Sequence, residues 1–253
     1  MTTLFISDLH LSPEDPERIQ LTVEFLKTHT QGISALYILG DLFNTWLGDD
    51  LIPTEFEPLI SQLRQLHHTG INTYLMVGNR DFMMGKDFAK QAGCVLINDP
   101  VVINLNGINT LLLHGDSLCI DDVSYQRYRR WTRNKLLQWC FLNLPASYRQ
   151  RISDKIKQKS REQKQSKSAM IMDVNQMEVR RVITAYGVTQ LIHGHTHRPA
   201  IHSLDINGQQ AYRIVLGDWE TTHSYLICDE QQIQLIDHRV PEHVSLLRSS
   251  LIQ

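Results

Sequence analysis

The chain opens as short apolar runs alternating with longer amphipathic stretches. Residues 3–7, 35–39 and 72–77 are runs of strand length rich in aliphatic and aromatic side chains, and the stretches near 16–29 and 54–69 carry apolar residues at helical spacing. This β-α-β-α-β order predicts parallel strands joined by helical crossovers. A short helix over 85–91 is followed by strand-like runs at 94–97, 101–105 and 109–114, the last two separated by Asn106-Gly107, a dipeptide that favours a tight hairpin. From 121 to about 186 the pattern is helical, broken near Pro145. Strands return at 188–192, 212–216, 224–228 and 232–237, with a second turn at Asn207-Gly208. The expected organisation is one α/β catalytic body, residues 1–120 and 187–253, interrupted by a helical insertion over 121–186.

Composition narrows the class. Hydrophobic residues at 42% and charged residues at 21% are those of a folded globule, which sets disordered and fibrous classes aside. No basic, apolar leader is visible at Met1, and no uncharged apolar run approaches the roughly 18–20 residues of a membrane-spanning helix. Cys94, Cys119, Cys140 and Cys228 lie far apart and read as reduced core thiols of a cytosolic protein. The overall charge of −2 conceals an asymmetry. Between Arg127 and Lys167 lie thirteen of the 25 Lys and Arg but only two acids, a local +11 against −13 elsewhere, and a field of that kind attracts an anionic partner.

Candidate chemistry sits at the ends of the apolar runs. Asp8-Leu9-His10 follows Leu4-Phe5-Ile6; Gly40-Asp41 follows Leu36-Tyr37-Ile38-Leu39; Gly78-Asn79-Arg80-Asp81 follows Tyr74-Leu75-Met76-Val77. His114-Gly115-Asp116 follows Leu111-Leu112-Leu113, and His193-Gly194-His195-Thr196-His197 follows Leu191-Ile192. Ligands of open α/β sheets gather at the carboxyl ends of strands. Any one of these motifs alone is compatible with a turn acid or a buried histidine, but five at five strand ends form a constellation. Carboxylate, imidazole and amide oxygen without thiolate suit hard or borderline divalent metals. Strand alternation is expected to present Asp8 with His10, and His195 with His197, to one site. Asp41, with two oxygens, is the candidate bridge.

The ordered set Asp8-x-His10, Gly40-Asp41, Gly78-Asn79-Arg80-Asp81, His114-Gly115-Asp116 and Gly194-His195-x-His197 resembles the calcineurin-like metallophosphoesterases. The resemblance implies a β-sandwich of two mixed sheets flanked by helices, here with the insertion as a cap. It implies a first metal on Asp8, His10, Asp41 and His197, and a second on Asp41, Asn79, His114 and His195. Such a pair activates water for in-line attack on phosphorus.

Many members of that superfamily carry histidine, a proton donor to the leaving group, where Arg80 stands. Arginine only donates hydrogen bonds and charge, so Arg80 favours a leaving group that is already a good anion, such as the phosphate of a diphosphate linkage. In the insertion, Trp131, Leu136, Leu137, Trp139, Phe141, Leu142 and Leu144 are interspersed with Arg127, Arg129, Arg130, Arg133 and Lys135. That combination suits an ordinary helix packed on the body, an anionic amphiphile or membrane surface, or a phosphate backbone, and the density of aliphatic residues favours acyl chains over bases.

A narrower, nearly full-length resemblance is to the family of lipid A pathway hydrolases acting on UDP-2,3-diacylglucosamine. It is carried by the run 4–11, the run 35–43, Gly78-Asn79-Arg80-Asp81-Phe82, residues 171–176 and residues 193–200. It implies two Mn2+ per chain, water attack on the α-phosphorus, and UMP and 2,3-diacylglucosamine 1-phosphate (lipid X) as products. It also implies peripheral residence on the anionic cytoplasmic face of the inner membrane, with no nucleic-acid partner. Asp41, Arg80 and His195 would carry catalysis. Substrate contacts map to Asn79, Arg80, Asp122, Ser160, Lys164, Lys167 and His195, with Lys164 standing where the family commonly has asparagine. A phosphoesterase acting on soluble nucleotides or nucleic acid, and a scaffold that merely retains a metal site, are the competing readings.

Overall fold

The apolar runs of the first third form the parallel strands that the pattern predicts. In the computed structural model, which describes residues 1–166, 173–220, 223–240 and 244–247 (with side chains at 159–166, 244, 245 and 247 left aside), β1 (Thr3–Ile6), β2 (Ala35–Leu39), β3 (Asn72–Met76) and β4 (Cys94–Leu96) run parallel in that order. The crossovers are α1 (Pro16–His29), α2 (Glu57–His68) and α3 (Lys86–Ala92). Asp15 caps α1 by accepting from the Arg18 N–H, and Pro16 occupies the first turn, where its missing donor is not needed.

Two sheets face each other. The first has seven strands in the order β12-β11-β10-β1-β2-β3-β4, where β10 (Tyr225–Cys228), β11 (Gln232–Ile236) and β12 (Val244–Leu247) add antiparallel. The second has the order β5-β6-β7-β9-β8, built from β5 (Val101–Leu105), β6 (Ile108–Leu113), β7 (Gln190–His193), β8 (Ala200–Ile206) and β9 (Gln209–Val215). Phe5, Met76, Leu226 and Leu235 of the first sheet meet Leu112, Ile192 and Ile214 of the second in a buried layer. The other face of the first sheet, through Leu4, Ile6, Leu36, Ile38 and Leu75, packs on α1, α2 and α3. This is the two-sheet mixed sandwich flanked by helices.

Three local departures from the pattern have physical causes. Residues 188–189 belong to a helix exit: Gly187 is left-handed and the Val188 N–H bonds Ile183 O, so β7 starts at Gln190 and includes His193. β8 escapes the periodicity because it is a half-buried edge strand interrupted by His202, Ser203 and Asp205, and β12 is likewise a short edge strand. Both Asn-Gly turns adopt positive φ at both residues, as tight hairpins require.

Among the described residues the helical segment breaks at Asn134 as well as at Pro145. α4 (Val123–Thr132) and α5 (Lys135–Leu142) are separated at Asn134, whose side chain accepts from the Leu136 and Leu137 N–H groups, and α6 (Ala146–Ser166) follows Pro145. α7 (Gln176–Tyr186) packs Val179, Val182 and Ile183 over Leu111, Leu191 and Ala211 on the outer face of the second sheet.

Part of the basic block is used internally. Arg129 Nε donates to Asp116 Oδ2 at 2.8 Å and its Nη2 to Asp99 at 3.3 Å, Tyr125 OH donates to Asp116 at 2.6 Å, and Arg133 Nη2 donates to Gly78 O at 2.9 Å. Arg149, almost fully buried, forks onto Asp50 and donates to Leu47 O. These arginines dock the helices and so contribute less to an external field than the sequence count suggests.

α5 is turned outward. Its one buried residue is Gln138, whose amide donates to Thr132 O, while Leu136 (68% exposed) and Trp139 (61%) face solvent together with Trp131 (67%). A helix packed by its apolar face on the body is therefore not what forms here. Cys140 is exposed and Cys94 half-buried, so of the four only Cys119 and Cys228 are core thiols. No helix among the described residues is long and apolar enough to cross a membrane.

Asp116→Ala would leave Arg129 Nε and the Tyr125 hydroxyl without their acceptor, with Asp99 alone still holding the guanidinium. It is expected to lower stability by about 3 kcal/mol and expose α4 to protease, measured by urea unfolding and limited proteolysis. Unchanged unfolding would mean that the helices dock by other contacts.

Candidate metal centre

The loops that follow β1 and β2 are zipped to each other by backbone hydrogen bonds beyond the sheet. Asp8 N–H bonds Gly40 O at 3.1 Å, His10 N–H bonds Asp41 O at 2.9 Å, and Leu11 N–H bonds Leu42 O at 3.0 Å. From the second sheet, Gly194 N–H bonds His114 O at 2.9 Å, and His195 N–H donates to Asp8 Oδ2 at 2.8 Å. Motifs from opposite ends of the chain are thus brought together at the carboxyl ends of strands from both sheets.

Strand alternation does not aim these side chains. β1 ends at Ile6 and β7 at His193, and Asp8, His10, Asp41, His195 and His197 all adopt left-handed backbone, with φ from 51° to 67°. The only other non-glycine residues with positive φ among the described ones are the asparagines of the two hairpin turns. Each such conformation costs on the order of 1 kcal/mol, so the surrounding structure holds these residues there. Close approach demands glycine at two points: a Cβ on Gly78 would stand 2.2 Å from Asp41 Oδ1, and one on Gly194 would stand 2.2 Å from Asp8 Oδ2.

Two groups of ligand atoms lie within 4.8 Å of one another: Asp8, His10 and His197, and Asp8, Asp41 and His114. His10 Nε2 faces His197 Nε2 at 3.2 Å, and His197 Nε2 lies 3.4 Å from Asp8 Oδ1. Asp8 is common to both groups, and Asp41 of the second reaches toward the first, its Oδ2 3.8 Å from His10 Nδ1 and its Oδ1 3.8 Å from His114 Nε2. Asn79 Oδ1 meets His114 Nε2 at 2.9 Å. His195 belongs to neither group; its ring lies edge-on to His114 at 5.1 Å and stacks on Tyr125 at 6.1 Å. Asp8 Oδ1 and His10 Nδ1 are buried without a hydrogen-bond partner. Buried polar atoms are rarely left so, and orphaned acceptors of carboxylate and imidazole type in one cluster fit divalent cations. No cysteine enters either group.

Supporting residues fix the ligands. Ser7 Oγ donates to Asp8 Oδ2 at 2.6 Å, His114 Nδ1 pairs with Leu39 O at 2.9 Å, and His197 Nδ1 lies 3.2 Å from Asp218 Oδ2. Such partners set tautomer and ring orientation. Asp218 has a sequence signal of its own that the motif reading missed: Leu216-Gly217-Asp218 repeats the strand-Gly-Asp form of Leu39-Gly40-Asp41. Asp81 is not an ion-pair partner of Arg80; it accepts from the Gly78 and Phe43 N–H groups and clamps the loop that carries Asn79. The Arg80 N–H donates to Asp41 Oδ1 at 2.8 Å, its Nε lies 3.6 Å from Asp41 Oδ2, and its guanidinium bonds Asn44.

Of the remaining expected contacts, Asp122 caps α4, accepting from the Tyr125 N–H at 3.0 Å and the Ser124 hydroxyl at 2.7 Å. Ser160 and Lys164 fall in the part of α6 whose side chains lie outside the described residues, and Lys167 lies outside the described residues altogether.

Electrostatics divide the histidines. Burial pushes His10 down to about 3, and burial with the nearby His114 pushes His195 down to about 4. Burial would lower His114 and His197 too, but acids overrule it. Asp41, Asp8 and Asp116 lift His114 to about 9, and hydrogen bonds to Asp218 and Asp8 lift His197 to about 10. Burial above all, with Asp81 and Asp8 adding to it and His114 opposing, raises Asp41 to about 7.

Residues 1–199 match the calcineurin-like phosphoesterase family. The chain is 50% identical over 220 residues to a protein from Pseudomonas aeruginosa named UDP-2,3-diacylglucosamine hydrolase, covering 87% of this chain and 92% of that one. Proteins of the same name from Pseudomonas entomophila and Photobacterium profundum are 49% and 44% identical, over 92% and 90% of this chain and 97% and 93% of theirs.

At neutral pH the metal-free cluster holds protons on His114 and His197 and in part on Asp41. A cation must displace them, because only deprotonated groups ligate. Raised ligand pKa values therefore mean that metal affinity should climb between about pH 6 and 9, with protons released on binding. Titrating metal into stripped protein in weak buffer measures both. Affinity flat across that range, without proton release, would remove His114 and His197 from the ligand set.

Proposed function

The chain belongs to the calcineurin-like phosphoesterase family, and on that premise we propose that it hydrolyses the diphosphate bond of UDP-2,3-diacylglucosamine, releasing UMP and lipid X. The observation that carries this reading is Arg80, a guanidinium against Asp41 at the edge of the ligand cluster, in a chain half identical to hydrolases named for that substrate. Two divalent ions, Mn2+ in this reading, would be held by Asp8, His10, Asp41 and His197 and by Asp41, Asn79, His114 and His195. When bound they supply Lewis-acid charge and water of lowered pKa.

The chain's own residues supply position and charge. Arg80, half-exposed and anchored by Asn44, presents its donors where a diphosphate would enter. It has no proton to give to an alkoxide, which suits a leaving group that departs as a phosphate anion. Asn79 and His195 would flank the same phosphates. The outward apolar residues of α5 and the part of the basic block not spent on docking support lipid handling and a peripheral seat on an anionic membrane, the cytoplasmic face of the inner membrane in this reading. In the same reading α4–α6 form the cap over the body, and Asp122, Ser160, Lys164 and Lys167 contribute contacts from it.

Hydrolysis of the UDP-lipid in 18O-water is the direct test. The expected outcome is label in UMP and none in lipid X, as attack on the α-phosphorus requires. Label in lipid X would move the attack to the β-phosphorus, and indifference to the lipid with turnover of soluble nucleotides would replace the substrate. Arg80→Ala keeps the backbone N–H that bonds Asp41. It is expected to reduce turnover about 100-fold with metal content unchanged by elemental analysis. Loss of metal instead would make Arg80 a prop for Asp41.

A further inference from the structure

Beyond the ligand cluster, the outer face of the second sheet emerges from under α7. Ala211 of β9 packs beneath that helix; Arg213 and Val215, next on the same face, line a cavity of about 340 Å3 with Arg198, Pro199, His202 and Arg239. That volume falls within the roughly 300–1,000 Å3 of small-molecule sites. The cavity wall includes His197, whose other side belongs to the Asp8–His10–His197 group, so cavity and cluster are contiguous. No described residue of α4, α5 or α6 lines it.

Arg213 is out of place for an ordinary core residue. It is 5% exposed, its Nε is buried without a hydrogen-bond partner, and no ion pair to it occurs among the described residues. Its neighbours are differently served: Arg198 pairs with Asp173, and Arg239 holds Asp218 and Asp237. A largely buried guanidinium that lines a cavity without an ion-pair partner among the described residues calls for an acceptor supplied from outside the chain.

We infer that this cavity receives the uridine of the substrate, with Arg213 donating to a pyrimidine carbonyl and Pro199 and Val215 lying against the ring. The inference rests on the substrate reading above. The reacting phosphate belongs at the ligand cluster, and the lipid half is directed to the outward apolar helix, so the group that reaches past His197 is the nucleoside. Asp173 also lines the cavity. A carboxylate there disfavours a second phosphate, while the N3–H of uracil is a donor that it accepts.

The test is calorimetric titration of UMP, uridine and inorganic phosphate into the full-length, metal-loaded protein and two variants, Arg213→Met and Ala200→Phe. The first removes the donor. The second fills the cavity from the end of β8 without touching the buried cation, and it keeps the test available if the first fails to fold. Both are expected to bind UMP and uridine about tenfold more weakly, with phosphate affinity and metal content unchanged. Equal weakening of phosphate, or UMP affinity unaltered in both variants, would overturn the subsite. A wild-type protein that splits the UDP-lipid while both variants bind UMP normally refutes the subsite alone. One that binds UMP through Arg213 but ignores the UDP-lipid refutes the substrate reading alone.

Discussion

Two carboxylates and several imidazoles are forced together where water is largely excluded, and the rest of the structure is arranged around that crowding. Asp8 and Asp41 are both buried and both part of one ligand group, a pairing that is unfavourable unless positive charge is shared between them. In the metal-free protein the positive charge comes from protons on His114 and His197, while burial lifts Asp41 itself toward neutrality. Divalent cations would replace those protons with more charge at shorter range. The same crowding that is costly for the side chains alone suits them to hold cations.

Holding that arrangement falls to the backbone. Zipped loops after β1 and β2 fix Asp8, His10 and Asp41 relative to one another, and the His195 N–H ties the second sheet to Asp8. Left-handed conformations at five site residues turn side chains inward that an extended strand would have pointed apart. The energy for such local strain comes from the layers on either side of the site, where the sheets bury apolar residues against each other and against α1, α2, α3 and α7.

Helices α4, α5 and α6 divide their residues between anchoring and display. Arg129, Arg133, Tyr125 and Arg149 reach inward to acids and carbonyls of the body, so the segment is attached by charge-assisted hydrogen bonds. Freed from packing duty, Leu136, Leu137 and Trp139 of α5 face outward. An arginine count cannot separate the two uses, because both present the same sequence signature.

The apolar runs and their order determined the parallel β-α-β start, the Asn-Gly hairpins and the positions of the candidate ligand motifs, since periodicity and turn chemistry are local properties. Sequence also determined which chemistry was available: carboxylate, imidazole and amide at five strand ends, and arginine where a proton donor could have stood. Tertiary structure alone decided how those residues converge, because left-handed φ values are imposed by long-range packing and loop pairing. It decided that Asp81 clamps a loop, that Asp218 backs His197, and that Gln138 is the residue of α5 that turns inward. Partners that are distant in sequence leave no periodic trace, and only folding assigns each charged residue to an anchor, a ligand or an open surface.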